Sequence, residues 1–197
     1  MLVLEALKAL FKLSNQRCFA SPQVVRPIPE LEMNPNDATT IANFLADNFS
    51  YEMQTTERVI NAVPNDHLDY PPDGKSKTAL GLVRHIVLED EWLLNSIADG
   101  TFTPPPDQSD ACGIMNPSEA IDQYKSRVPT ALERVPGMSG EQLVSTVDML
   151  GAIQMSAVAF LQLALKHEVH HRGQLSAYLR AMGGKVPGIY GPSGDSQ

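Results

Sequence analysis

The chain has 197 residues, of which 43% are hydrophobic, and a net charge of −8 with an isoelectric point of about 5.0. That length suits one domain with a sizeable core, and the acidic balance speaks against nucleic-acid binding, which needs a basic face to neutralise phosphates. No apolar run approaches the ~20 residues of a membrane span, and two cysteines, Cys18 and Cys112, are too few for a disulfide framework, so a reducing cytoplasm is the expected compartment.

Residues 1–32 read as an N-terminal extension and 33–197 as the domain. Glu5, Lys8 and Lys12 interrupt the apolar residues of the first thirteen positions, which argues against a signal peptide. Leu4, Leu7, Leu10 and Phe11 could share one face of a short amphipathic helix. Residues 21–36 carry four prolines and read as an extended connector. Two readings stay open: Met33 is the true first residue, or the preceding stretch is an added docking segment.

From 37 to 63 the pattern is helical, with Ile41, Phe44, Leu45, Phe49, Met53 and Ile60 at three- and four-residue steps. Asn36 or Asp37 is the expected cap. A second helix is expected over 77–98, capped by Ser76 and ended by Asp99-Gly100. Residues 101–117 hold four prolines and read as a long loop; a loop of that length hints at function. A third helix, 118–135, places Ile121, Tyr124, Val128 and Leu132 on its apolar side, and Pro129 should kink or break it. Residues 142–150 read as a short helix or helical loop. The last long helix, 154–182, is stopped by Gly183-Gly184, and an extended tail follows. No segment alternates well enough to predict a strand. Four long helices in one domain predict an all-α four-helix bundle.

The last helix carries His167-Glu168-Val169-His170-His171. His167 and His171 are one turn apart, about 40° on the helical wheel, so both imidazoles can reach one metal ion. They share the core-facing stripe with Phe160, Ala164, Leu175 and Tyr178. On the second helix His85 shares an inward face with Leu82, Leu88 and Trp92. Three inward histidines without partners would be costly, and a metal site between helices satisfies them. His170 reads as a boundary or outer-sphere residue, and His67 as a solvated loop residue. A satisfied core histidine is the plainer reading for His85 taken alone.

The same five residues match the H-E-x-x-H helix of zinc proteases, with Glu168 as general base. Those enzymes take a third ligand from downstream. Only 26 residues follow His171, without His or Glu, and Asp195 lies in the terminal tail. The protease reading is set aside.

Leu82-Val83-Arg84-His85-Ile86 with Glu89 and Trp92, His171-Arg172-Gly173-Gln174-Leu175 after His167, and Val186-Pro187 with Tyr190-Gly191 together carry a resemblance. From about Met33 to Gly191 the chain resembles the DinB/YfiT-like superfamily of helical-bundle metalloproteins, which is unrelated to the DNA polymerase of similar name. The resemblance implies an up-down-down-up four-helix bundle, often a homodimer. It implies a divalent ion such as zinc or nickel held by His85, His167 and His171. Related families include thiol-dependent transferases and isomerases as well as metal-dependent hydrolases.

Three imidazoles leave zinc an open position, the arrangement of catalytic sites. Glu89, one turn beyond His85, is the candidate proton acceptor, although the run Glu89-Asp90-Glu91 reads equally as an exposed acidic face. Arg172 and Gln174 could orient a ligand, with Arg172 more simply a surface pair. Trp92 and Tyr178 read as core. Asp110, Cys112 and Met115 lie in the long loop, which could cover the site. Two functions follow. One is a metal-dependent enzyme acting on a small molecule, with a low-molecular-weight thiol as cosubstrate. The other is a metal- or ligand-binding bundle without catalysis. A purely structural bundle would hold no metal.

Overall fold

The computed structural model describes residues 33–195, so the readings of residues 1–32 lie outside the described residues. Four long helices form the expected bundle: α1 (Pro35–Asn61), α2 (Ala79–Asp99), α3 (Pro117–Leu132) and, after a short α4 (Gly140–Val144) and a hairpin, α5 (Ala157–Ala181). Each begins where its local chemistry dictates. Asn34, not Asn36 or Asp37, caps α1: its Oδ1 accepts the Asp37 N–H at 2.9 Å, and Pro35 follows at the position that needs no donor. Thr78, not Ser76, caps α2 by accepting from Gly81 N–H, while Ser76 is engaged by Asp73. Gly100 ends α2 in the left-handed conformation, φ 67°. Asn116 caps α3, which carries Pro129 in its last turn and ends three residues later.

The helix directions follow from contacts at the ends. Arg84, near the start of α2, donates to Ile114 O just before α3, and Arg134, just after α3, reaches Asp99 at the end of α2. α2 and α3 therefore run parallel, which is why the long crossover 100–116 is needed. Phe102 after α2 packs on Phe160 early in α5, and Tyr70 before α2 packs on Tyr178 late in α5, with centroids 4.9 and 5.9 Å apart. Those two helices are antiparallel. α5 ends beside the end of α1, where a Cβ on Gly184 would approach Ala62 O to 3.1 Å. The order is up-down-down-up.

Two expectations are corrected. A hairpin occupies 146–156, where no strand was predicted: Thr146–Met149 (β1) pairs antiparallel with Ile153–Ser156 (β2), so the last helix starts at Ala157, not 154. Four residues per strand give too little alternation to read. Its turn needs positive φ at Leu150 (53°) and Gly151 (77°), and the Asp148 carboxylate accepts the Gly151 N–H. The buried stripe of α1 is also different. Ala38, Ala42, Leu45, Phe49, Met53 and Ile60 face the core, whereas Ile41 and Phe44 are 38% and 66% exposed. Leu45, Phe49, Met53 and Ile60 thus face inward as expected, and Ala38 and Ala42, not Ile41 and Phe44, complete the inner face. One close approach has no slack: a Cβ at Gly140 would run into the backbone oxygen of Pro35, where α4 meets the start of α1.

Candidate metal centre

α2 and α5 cross so that His85 from the first faces His167 and His171 from the second. Nε2 of His85 lies 3.1 Å from Nε2 of His171 and 3.3 Å from Nε2 of His167. These three histidines are the group among the described residues whose ligand atoms all lie within 4.8 Å of one another. Two nitrogens bound ~2.0 Å from one tetrahedral ion would be roughly 3.3 Å apart, so the spacing fits a shared ion. Burial, followed by repulsion from the other two imidazolium forms, pushes the His85 pKa down to about 2. Burial likewise lowers His167 and His171 to about 4. All three are neutral near pH 7 and offer lone pairs. The residues present fit a divalent ion.

Each ring has a different environment on its outer nitrogen. His171 Nδ1 donates to Gln174 Oε1 at 2.7 Å, one turn along the exposed rim of α5. His85 Nδ1 lies 3.3 Å from the Gln108 amide nitrogen and 3.7 Å from Glu89 Oε1. Gln108 also donates to Glu89 at 2.8 Å and its oxygen accepts from Lys77 at 3.2 Å. The long loop thus reaches the site through Gln108. Asp110 and Met115 instead bind Arg84, and Cys112 is a half-buried free cysteine whose backbone carbonyl accepts from Gln123. Glu89, the candidate proton acceptor, is half-buried beside His85, and burial raises its pKa. His167 Nδ1 points inward, 3.5 Å from Asp90 Oδ1.

Beneath His167 lies a buried polar layer. Asp90 and Glu168 are both 0% exposed. Thr56 and Tyr124 donate to Glu168 Oε1 at 2.7 and 2.9 Å, and the Tyr124 hydroxyl stands 3.4 Å from Asp90 Oδ2. Burial, reinforced by the neighbouring Asp90 charge, pushes Glu168 up to about 8. Arg172 closes the layer: its guanidinium, 2% exposed, donates to Glu52 and to the Tyr190 hydroxyl of the tail.

Several expectations change here. Asp90 belongs to no exposed acidic face, because α2 is covered along nearly its whole circumference. Arg172 makes a buried network, not a surface pair. Glu168 is buried against Thr56 and Tyr124 and turned away from the histidine cluster's open side, so it is not placed as a protease base. His170 is exposed and stacks on His171 at 4.8 Å, and His67 is exposed and paired with Asp66. Trp92 is half-buried, its indole N–H donating to Thr103 O, and Tyr178 is buried. Gln108 and Thr56 escaped the sequence reading, and Tyr124 was read only as part of the apolar side of the third helix. Asp90 left one legible signal: it interrupts the apolar spacing Ile86, Leu93, Ile97.

No helix among the described residues is long and apolar enough to cross a membrane. The fold has solved counterparts. A DinB-like protein, YjoA, from Bacillus subtilis superposes with a TM-score of 0.60 at 25% identity, covering 75% of this chain and 97% of that one. A DinB-like protein from Bacillus cereus ATCC 10987 gives 0.61 at 23% identity over 74% and 95%. In sequence, the uncharacterized YjoA of Bacillus subtilis (strain 168) is 28% identical over 144 residues, 72% of this chain and 91% of its own length. YrdA of the same strain is 25% identical over 155 residues, 78% and 90%. The family model for the DinB family matches residues 36–196, nearly the whole described bundle with its three converging histidines. This chain belongs to the DinB family.

Proposed function

We propose that this protein is a metal-dependent enzyme that acts on a small molecule at the rim of the three-histidine cluster. Thiol-dependent group transfer is the reaction class we favour, with hydrolysis through the same ligands as its close variant. The observation that carries the reading is the convergence of three neutral Nε2 atoms at a partly exposed face with a carboxylate alongside. His85, His167 and His171 are the ligands, and an all-imidazole set suits zinc or nickel. A divalent ion there would supply Lewis acidity that favours the anionic form of a thiol or water.

The chain's own groups do the rest. Burial keeps the imidazoles neutral and so available. Gln174 accepts from the outer nitrogen of His171, and Glu89, held by Gln108, is the acceptor beside the outer nitrogen of His85. Glu89, whose burial raises its pKa and makes its carboxylate a better proton acceptor, takes the proton of the incoming thiol or water. The net charge of −8 supports a small-molecule partner over nucleic acid. A homodimer and a cytoplasmic location complete the proposal, the first from the family resemblance and the second from the sparse cysteines.

A second reading is a metal- or ligand-binding bundle without turnover. What favours it is that Glu89 already accepts a hydrogen bond from Gln108 at 2.8 Å, which holds down its freedom as a base. Elemental mass spectrometry on untagged wild-type protein, His85→Ala and His171→Ala tests the metal site. One equivalent of zinc or nickel in wild type, lost in both folded variants, is expected. A thiol-transfer and hydrolase screen on the loaded protein then separates the two readings: turnover that fails in Glu89→Gln supports the enzyme, and metal uptake without turnover supports the binding bundle. Wild-type protein that takes up neither metal overturns the metal site and, with it, the metal-dependent enzyme.

A further inference from the structure

Asp90 is a wholly buried carboxylate halfway along α2, on the stripe shared by Ile86, Leu93 and Ile97. Among the described residues its Oδ1 has no hydrogen-bond partner, and neither has Nδ1 of His167, 3.5 Å away. Two buried orphans facing each other across that gap point to one missing bond. The other two histidines already have an acceptor by their outer nitrogen, Gln174 Oε1 for His171 and the Glu89 carboxylate, at 3.7 Å, for His85. Among the described residues, the acceptor facing Nδ1 of His167 is Asp90.

We propose that Asp90 is the positioning residue of His167: it accepts the imidazole Nδ1–H and thereby turns the Nε2 lone pair toward the metal position. The inference rests on the three-histidine reading above and adds a residue to it. A neutral imidazole carries one ring proton. Burial raises the Asp90 pKa well above the ordinary carboxylate range; in its ionised form the oxygen can only accept, so the ring proton then sits on Nδ1 and Nε2 is left free to ligate. A carboxylate does this better than a neutral acceptor, since its charge also raises the basicity of the ligand nitrogen. The far side of Asp90 is fixed in turn. The Tyr124 hydroxyl lies 3.4 Å from Oδ2 and donates to Glu168, which Thr56 also holds. α1, α2 and α3 thus all support one ligand on α5. An amide in place of the carboxylate presents N–H groups as well as an oxygen, and can hold the ring in the wrong tautomer.

The test uses the full chain, with zinc affinity measured by competition with a chromophoric chelator for wild type, Asp90→Asn and His167→Ala. Wild type binding one zinc, Asp90→Asn binding it about 10- to 100-fold more weakly, and a metal-free melting temperature that does not fall in Asp90→Asn are expected. The last follows because the variant removes a buried charge with an unmade bond. Equal zinc affinity in wild type and Asp90→Asn overturns the inference while leaving the three-histidine site standing. A joint fall of zinc affinity and metal-free melting temperature also overturns it, since that is the mark of packing alone. Wild type binding no zinc overturns the site itself, and this inference with it. Nitrogen-15 NMR of the zinc-loaded wild type gives an independent reading: a protected Nδ1–H on His167 is expected, and an unprotonated Nδ1 overturns the proposal without any variant.

Discussion

The two sides of His167 are built from opposite materials. Toward solvent, His85 and His171 are met by neutral amides, Gln108 and Gln174, with Lys77 near the edge. Toward the core, Asp90, Glu168, Tyr124, Thr56 and Arg172 form a layer in which every group is at least nine-tenths buried. At the rim water can replace a lost partner, so each contact there is worth little by itself. In the layer no water competes, and a lost partner leaves a charge or dipole stranded. The rim is thus where a ligand can exchange, and the layer is what holds the rings still.

The largest break in that contrast is expected from Arg172→Met. It strands Glu52 and removes the bond to Tyr190, and breaking a buried ion pair from one side costs about 3–5 kcal/mol. Urea unfolding of the metal-free variant checks this, and a loss under about 1 kcal/mol would place Arg172 with surface pairs.

Glu168→Gln gives the next effect, in pH dependence. Folded Glu168 keeps its proton up to about 8, whereas an unfolded glutamate releases it near ~4.3. Across that window the folded state binds more protons, so stability falls as pH rises. Removing the titration should raise the melting temperature of the metal-free protein at pH 8 more than at pH 5. The histidines act with the opposite sign. Their folded values, about 2 for His85 and about 4 for His167 and His171, lie below the ~6.5 of an unfolded histidine. Stability is therefore lost as pH falls from ~6.5 toward 4, and His167→Ala should blunt that acid limb in a melting series.

At the rim the effects shrink. Gln174→Ala should weaken zinc binding by only a few fold, below the roughly 10–100-fold of a buried outer partner, because water can accept the His171 Nδ1–H. His170→Ala should leave zinc affinity unchanged and stability within about 0.5 kcal/mol, since that ring is exposed and only stacks on His171. A large loss in either variant would erase the distinction between rim and layer.

The histidines were legible because their spacing is local. His167 and His171 sit one turn apart on a helix whose apolar stripe can be counted from the chain, and His85 occupies the inward face of another. The layer beneath them was not. Asp90 sits in the run Glu89-Asp90-Glu91, which reads as a wet acidic face until α3 and α5 are seen to cover α2 on its other sides. Arg172, too, points away from the histidine stripe and looks like a surface cation, yet that direction leads into α1 and the returning tail.

The sequence by itself determined the four long helices, the breaks between them and the two imidazoles that face inward together, because periodicity and capping act over a few residues. Only the tertiary structure decided that residues 146–156 pair as a hairpin and that Ile41 and Phe44 lie off the inner face of α1. It also decided that Asp90, Glu168 and Arg172 are buried in one network. Those outcomes depend on what packs against each element from far along the chain, and burial of a charge is a property of its surroundings, not of the residue.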